Sequence, residues 1–220
     1  MDVKNILKKA KDFHGHVCPF LALGVRASQI AMEELGIARV GLESIGEDVL
    51  AVVECNNCFA DGVQVATGCT FGNNSLIYLD VGKNAFTLVR RRDWEGVRVY
   101  VDADKVSEMY FSEDVEELFR KVVVRREASK EEEEKLAELW EEISWKIIEA
   151  PREIFKIERV RFSPIERAPI FESVKCNGCG ELVMKTRVKD GLCLKCRGEF
   201  YGVVGRGIVK FSDSKFEEVI

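Results

Sequence analysis

The amino-acid sequence predicts an α+β fold, in which helices flank a mainly antiparallel sheet, followed by a small cysteine-rich domain. Helical periodicity comes first, then a series of strand-like segments separated by short turns, and then helices again. This order favours an antiparallel sheet over alternating βαβ units. Near the C-terminus, four cysteines occur as two Cys-x2-Cys pairs, a pattern typical of a separate small domain.

The N-terminal part predicts two helices followed by two strands. Residues 2–12 place apolar side chains at helical spacing, and Pro19 opens a second helix that ends near Gly36. The segments 39–46 and 48–55 are alternating or continuously apolar, which indicates two strands joined by a tight turn.

The middle of the chain predicts one more helix and three more strands. The helix covers residues 58–68, and the strands cover 76–82, 85–92 and 96–103, separated by turns that contain Gly or Asn. Further on, 112–123 and 129–150 predict helices, and 155–162 predicts the last strand of the sheet. Ser129 and Glu132 form a capping box at the start of the second of these helices.

A proline-marked linker over 163–173 separates the sheet from the cysteine pairs. We therefore expect an α+β core domain over residues 1–165, a metal-binding domain over 172–205 and a C-terminal tail over 206–220. Such a small segment has little core of its own, so a bound ion would supply much of its folding energy.

The composition is that of an ordinary globular protein. The chain has 220 residues, of which 46% are hydrophobic and 32% charged, enough for a substantial core. No apolar run approaches the roughly 18 residues of a membrane span. The N-terminal residues are too polar for a signal-peptide core. These features predict a cytoplasmic protein with no membrane partner.

Eight cysteines in such a chain favour metal binding or thiolate chemistry over disulfides. The downstream pairs are separated by 13 residues, and each pair can place two thiolates on one ion. The segment between them predicts a hairpin with Asp190-Gly191 at its turn. A four-thiolate site leaves no position for substrate, so we expect structural zinc, with iron as the alternative. The ligands are Cys176, Cys179, Cys193 and Cys196.

The region around this site is locally basic. Residues 171–210 contain eight Lys or Arg and four Asp or Glu, although the whole chain carries a net charge of -5. Lys185, Arg187 and Lys189 alternate, which predicts one face of a strand. That face could meet RNA, an anionic ligand or an acidic partner, but ordinary surface charge is the favoured interpretation. Nucleic-acid binding is the weakest hypothesis.

The second candidate site lies upstream. In an extended stretch, His14, His16 and Cys18 would all point the same way. Cys18 also precedes Pro19, so a helix N-terminus should stabilise its thiolate and lower its pKa. Two imidazoles and a thiolate suit zinc, nickel or iron, and three protein ligands would leave a catalytic position open. Equally, an imidazole beside a thiol makes a nucleophile pair without a metal.

More thiols follow at the next predicted helix. Asn57 is a candidate cap, Cys58 lies in the first turn, and Asp61 could accept a hydrogen bond from an imidazole or act as a ligand. We therefore assign His16, Cys18, Cys58 and Asp61 as candidate catalytic residues, and His14, His16, Cys18 and Cys58 as candidate metal ligands. For Cys55 and Cys69 taken alone, burial as small hydrophobic side chains is favoured.

Two motifs, FHGHVCPFLALGVRA and ECNNCFADGVQVATGCTFGNNSL, precede the downstream cysteine pairs. Together they resemble the E-subunit family of formylmethanofuran dehydrogenase over roughly residues 10–200. The matching positions are His14, Gly15, His16, Cys18 and Pro19 in the first motif, and Asn57, Cys58, Asp61, Gly68, Cys69, Thr70 and Gly72 in the second. Cys55 departs from the threonine found in many members.

The resemblance implies an α+β domain that forms a homodimer, a cleft lined by the His/Cys motif, and a treble-clef or zinc-ribbon domain. It further implies association with the molybdenum or tungsten dehydrogenase that captures carbon dioxide on methanofuran in archaea, a pathway of methanogenesis. Nothing in the chain resembles a pterin-binding or iron–sulfur catalytic subunit. Two functions therefore compete. The cleft acts on or senses a small molecule, or the protein is an accessory or regulatory subunit that docks through its zinc domain.

Overall fold

The computed structural model describes residues 2–37, 48–205, 207–212 and 215–218. These residues form two compact units, 1–167 and 168–220, each of which is described by itself. The strand expected over 39–46 and the turn that follows it lie outside the described residues.

The first unit alternates helices and strands in the predicted order. Its helices are α1 (Val3–His14), α2 (Pro19–Leu35), α3 (Cys58–Thr67), α4 (Ala103–Tyr110), α5 (Glu113–Phe119) and α6 (Lys130–Ile147). Its strands are β1 (Val49–Val53), β2 (Leu76–Tyr78), β3 (Ala85–Arg90), β4 (Glu95–Val101) and β5 (Phe155–Arg161). A π-helical segment, Arg120–Arg125, continues α5. Helix α4 was not predicted from the sequence.

The five strands form one sheet in the order β2-β1-β3-β4-β5. Only β1 and β2 pair in parallel, while the other neighbours are antiparallel. The predicted α+β class with a mainly antiparallel sheet is therefore confirmed.

The central helix α2 organises the core of this unit. It runs from Pro19 to Leu35, is capped by Gly36 in the left-handed conformation, and buries twelve of its 17 residues. It packs against α1, α3, α6 and strands of the sheet. A helix that is apolar over most of its surface is expected at such a central position, and the polar residues Arg26, Gln29 and Glu33 share one narrow face. Within the part of the chain that the structure describes, no helix is long and apolar enough to cross a membrane.

Helices α2 and α3 cross with their backbones in direct contact at two glycines. A Cβ atom at Gly24 would lie 2.2 Å from the carbonyl oxygen of Phe59, and one at Gly62 would lie 2.3 Å from that of Leu21. Neither distance is compatible with a side chain, so only glycine permits this crossing. The contact lies within two turns of the first residue of each helix, so it determines how closely the two helix N-termini approach.

The second unit consists of short strands around the downstream cysteines and a three-stranded antiparallel sheet. The strands are β6 (Ser173–Lys175), β7 (Leu182–Met184), β8 (Val188–Lys189), β9 (Leu192–Cys193), β10 (Phe200–Val204), β11 (Gly207–Ser212) and β12 (Lys215–Glu218). The expected tight turn at Asp190-Gly191 is confirmed, because both residues have positive φ and β8 pairs with β9.

Two features of the second unit differ from expectation. Lys185–Arg187 form a turn of 3-10 helix, so Lys185, Arg187 and Lys189 do not share one strand face, and that prediction was wrong. Lys185 also pairs with Glu172 at 2.8 Å. The region 206–220, expected as a tail, contributes two strands to the sheet with β10.

The glycine crossing predicts a large stability effect for a single added methyl group. We expect Gly62→Ala to lower the free energy of unfolding by about 1–3 kcal/mol, because the new Cβ must push two helix backbones apart. The higher helix propensity of alanine, about 1 kcal/mol, acts in the opposite direction and should be outweighed. Urea unfolding monitored by circular dichroism measures the difference.

Gly72→Ala is the matched control, because Gly72 lies in an exposed turn with open space around its Cβ position. This variant should stay within about 0.5 kcal/mol of the wild type. An equal effect of the two substitutions would contradict the role assigned to the crossing.

Candidate metal centre and adjoining cleft

The first histidine of the site ends a helix. Helix α1 runs two residues further than predicted and includes His14, and Gly15 then reverses the chain in the left-handed conformation with φ of 94°. His14, His16 and Cys18 are thus not on one extended segment, and that prediction was wrong. The three side chains still converge, because the reversal at Gly15 directs the following residues back toward the end of α1.

Two helix N-termini supply the thiols. Cys18 is the N-cap of α2, with Pro19 at the first helical position. Cys58 is the first residue of α3, and the Asn57 side chain caps that helix by accepting from the amide of Phe59 at 3.0 Å. Both predicted helix starts are confirmed. The unpaired amides at such termini favour negative charge nearby.

The four candidate ligands meet at one point. Ligand atoms of His14, His16, Cys18 and Cys58 all lie within 4.8 Å of one another. His14 Nδ1 bonds the Oδ2 atom of Asp61 at 2.7 Å, while its Nε2 atom is buried without a hydrogen-bond partner in the described structure. A carboxylate on one ring nitrogen and an orphaned second nitrogen are the usual arrangement of a metal-ligating histidine. The donor set therefore fits a borderline-soft transition metal ion.

The two thiols differ in protonation. The Cys18 thiol donates to Cys58, which lowers the pKa of Cys58 to about 5, assisted by the charge of His14 and opposed by burial. The same hydrogen bond, together with burial, raises the pKa of Cys18. The expectation of a lowered pKa at Cys18 was therefore wrong, although backbone amides of α2 do act in that direction.

His14 is also perturbed. Burial acts to lower its pKa, but the hydrogen bond with Asp61 and the charge of Cys58 together raise the pKa above its ordinary value. Asp61 thus accepts from the imidazole, one of the two roles expected for it. In that role Asp61 fixes the ring so that Nε2 faces the thiols.

His16 has a different environment from the other three ligands. It is exposed, its ring lies 4.4 Å from that of His14, and it stacks on Trp140 at 6.4 Å with an interplanar angle of 24°. No hydrogen bond holds its ring among the described residues. His16, like Cys18 and Cys58, lines a cleft.

That cleft has a volume of about 760 Å³, within the usual range for small-molecule sites. His16, Cys18 and Cys58 line it on one side. Most of the remaining wall is apolar and comes from Phe20, Phe111, Val115, Phe119, Val123 and Trp140. These wall residues were not identified from the sequence, because apolar residues at helical spacing look like ordinary core. One structural feature does mark this wall. Val123 and Val124 are exposed in the π-helical segment, and π-helices often occur at functional sites.

Cys55 and Cys69 do not join the four-ligand cluster. Both are buried; the Cys55 thiol donates to the Asn57 side chain at 3.4 Å, and burial raises the pKa of Cys55 to about 11. Burial raises the pKa of Cys69 as well. The favoured interpretation, that they pack as small hydrophobic residues, agrees with this geometry.

The downstream cysteines also gather within 4.8 Å of one another. Backbone amides of Cys193 and Gly178 donate to the Cys176 sulfur at 3.2 and 3.4 Å, which lowers the pKa of Cys176 to about 6. Amide-to-sulfur hydrogen bonds of this kind stabilise thiolates around a metal ion. The four sulfurs can hold one ion.

The fold and its side chains define an α+β protein with two groups of potential metal ligands, one in each compact unit. A family model described as "FmdE, Molybdenum formylmethanofuran dehydrogenase operon" matches residues 13–156. The chain belongs to this FmdE family.

Two relatives extend the comparison. A protein of Archaeoglobus fulgidus described as a probable S-adenosyl-L-methionine-binding protein is 64% identical over 215 residues. The match covers 98% of this chain but only 58% of that protein. The crystal structure of an FmdE-like protein from Syntrophus aciditrophicus, described as similar to the E subunit of a tungsten formylmethanofuran dehydrogenase, has a TM-score of 0.60 and 26% identity. That similarity covers 89% of this chain and 92% of the other.

The thiol pair predicts unusual reactivity in metal-free protein. Because the pKa of Cys58 is about 5, it remains a thiolate at neutral pH, whereas Cys55, with a pKa of about 11, stays protonated. We expect iodoacetamide to label Cys58 at similar rates at pH 8 and pH 6.5, and Cys55 to react slowly throughout. Peptide mapping by mass spectrometry measures both residues in one sample. A fall in Cys58 labelling of about tenfold per pH unit, as for an ordinary thiol, would contradict the shared-proton geometry.

Proposed function

We propose that this protein carries a transition-metal centre in its α+β unit, formed by His14, His16, Cys18 and Cys58, and that the centre binds a small molecule in the adjoining cleft. The observation that carries the proposal is the convergence of four donor atoms within 4.8 Å of one another, with Asp61 on Nδ1 of His14 and the buried Nε2 atom of that ring without a well-directed hydrogen bond. Leaving such an atom without a partner costs about 1–3 kcal/mol unless an ion occupies the position.

The four proposed ligands differ in how the fold holds them. His14 and the two cysteines are held by the fold: Asp61 orients His14, and helix N-termini position the thiols. Zinc, nickel or iron all suit two imidazoles and two thiolates, and a bound ion would supply Lewis acidity to a molecule in the cleft. The catalytic role of His16, Cys18, Cys58 and Asp61 is to bind and orient that ion and to hold protons near it.

The downstream cysteines Cys176, Cys179, Cys193 and Cys196 form the second part of the proposal. Four thiolates suit zinc in a closed, structural site. Described core residues are few in this unit, where Val209 is buried along with Cys176 and Cys193, so the ion would stabilise its fold. We propose a core domain over residues 1–165 and a zinc-binding domain that begins near residue 172 and continues beyond 205 into the strands that share a sheet with β10.

An accessory role is the second candidate function, and one observation favours it. Strand β7 exposes Leu182 and Met184, and β10 exposes Tyr201 and Val203, so several apolar side chains of the second unit face solvent. Exposed apolar side chains of this size can belong to an interaction site. A molybdenum or tungsten dehydrogenase and a second copy of the chain are the partners that the family suggests. Size-exclusion chromatography with light scattering distinguishes a free homodimer from a larger complex in cell extract.

Metal analysis of three cysteine variants tests both centres at once. We expect about two ions per wild-type chain and about one in both Cys18→Ser and Cys179→Ser, since a serine replaces one ligand of a four-ligand site. Cys55→Ser is the matched control and should keep two ions, because Cys55 lies outside both clusters. Plasma mass spectrometry gives the stoichiometry and the identity of each metal. Two ions in Cys18→Ser would refute the upstream centre.

The Asp61–His14 contact makes a separate prediction. Asp61→Asn should weaken metal binding at the upstream centre by about 10–100-fold, because the amide supports the ligating imidazole less strongly. Asp12→Asn, which removes an exposed carboxylate from the same helix as His14, should leave the affinity unchanged. Competition with a chromogenic chelator measures both affinities. Equal affinities for the two variants would exclude a supporting role for Asp61.

A further inference from the structure

The lining of the cleft beside the upstream centre disfavours highly charged ligands. Its charged lining residues are already paired: Arg120 donates to Glu116 at 3.0 Å and to Glu117 at 3.1 Å, and Glu116 also accepts from Ser107 at 2.6 Å. The Asn57 side chain is likewise occupied, since it donates to Asn84 at 2.9 Å and caps α3. A phosphate, a nucleotide or another highly charged ligand would have to break these contacts to enter.

The apolar wall suits a hydrophobic ligand with a ring. Phe119 and Trp140 lie 6.1 Å apart between centroids, and Trp140 also stacks on His16. Aromatic side chains at these separations interact favourably with a further ring placed among them. The ligand body is therefore apolar, and its polar end reaches the side of the cleft formed by His16, Cys18 and Cys58.

The same arrangement makes His16 the ligand most easily replaced. The other three donors are buried or half-buried and fixed by Asp61 or by helix N-termini, whereas His16 is exposed and, among the described residues, is held only by ring contacts with Trp140 and His14. A ligand that takes the place of His16 beside Trp140 would gain that stacking surface. The donor atom of that ligand would then occupy the position of the His16 ring nitrogen.

We propose that the cleft binds an apolar, ring-bearing thiol, whose sulfur takes the place of His16 at the centre. This inference rests on the metal centre proposed above. The exchange balances in protons and charge: the incoming thiol would give its proton to the solvent buffer as its sulfur coordinates, and the imidazole of His16 would leave the site as a neutral ring. A sulfur donor is preferred because a site built from thiolates and imidazoles selects soft ligands over carboxylates.

Cobalt-loaded full-length protein allows a direct binding test. Benzyl mercaptan, 2-mercaptoethanol, phenylacetate and S-adenosylmethionine are each titrated while the cobalt–thiolate absorption is recorded. Benzyl mercaptan should bind about tenfold or more tightly than 2-mercaptoethanol, because burial of the ring in the cleft adds to coordination. Phenylacetate and S-adenosylmethionine should not compete with it. Equal binding of the two thiols, or stronger binding of phenylacetate, overturns the proposed ligand class.

Variants separate the roles of wall and ligand. Trp140→Ala should reduce the preference for benzyl mercaptan by about fivefold or more at unchanged cobalt content. Trp145→Ala, on the same helix but outside the cleft, should keep the preference. If Trp140→Ala does not fold, Phe119→Ala provides the same test. An unchanged preference in the folded wall variant overturns the site.

His16→Ala tests the exchange itself. This variant should still load cobalt at the upstream centre and should bind benzyl mercaptan more tightly than the wild type, because no imidazole competes. His14→Ala should lose the upstream ion. If His16→Ala loses the ion as completely, His16 is not exchangeable and the inference fails. A wild-type centre that holds no metal would refute the proposed function itself, whereas a loaded centre that ignores both thiols refutes the inference alone.

Discussion

The contact between Gly24 and Gly62 is the constraint on which the rest of the site depends. The atoms that exclude a Cβ there are carbonyl oxygens of Leu21 and Phe59, which lie three residues after Cys18 and one residue after Cys58. The close approach of α2 and α3 therefore lies within two helical turns of both thiols. Any separation of the helices would move both helix starts, and with them both sulfurs. A packing requirement that looks purely structural thus sets the geometry of the chemical site.

Much of the site could be predicted from local sequence, because helix starts have local causes. Pro19 and Asn57 identify the helix N-termini that position Cys18 and Cys58, and the Ser129 capping box was likewise correct. The convergence of His14 with these thiols was expected for the wrong reason. Its cause is a single left-handed residue, Gly15, whose conformation determines the path of the whole motif.

The cleft could not be predicted in the same way. Apart from Phe20 and Phe111, its apolar wall comes from α5, the π-helical segment and α6, which follow the His/Cys motifs by some forty residues or more and meet them only through tertiary packing. An apolar residue such as Trp140 has the same helical spacing whether it faces the core or a cavity. The 3-10 turn at Lys185–Arg187 was missed for a related reason. An alternation of only three charged residues is too short to distinguish a strand from a tight turn.

The two cysteine clusters use the same type of ligand but support it in different ways. In the downstream cluster, the backbone amides of Gly178 and Cys193 donate to the Cys176 sulfur, and all four ligands would be thiolates of equal kind. The upstream cluster has unequal supports: Asp61 fixes His14, helix starts fix Cys18 and Cys58, and His16 has only ring contacts with Trp140 and His14 among the described residues. Trp140 also forms part of the wall of the cleft, so a molecule in the cleft would contact the same indole ring on which His16 stacks. At the proposed metal centre, ligand binding and coordination geometry would therefore be coupled through this indole ring.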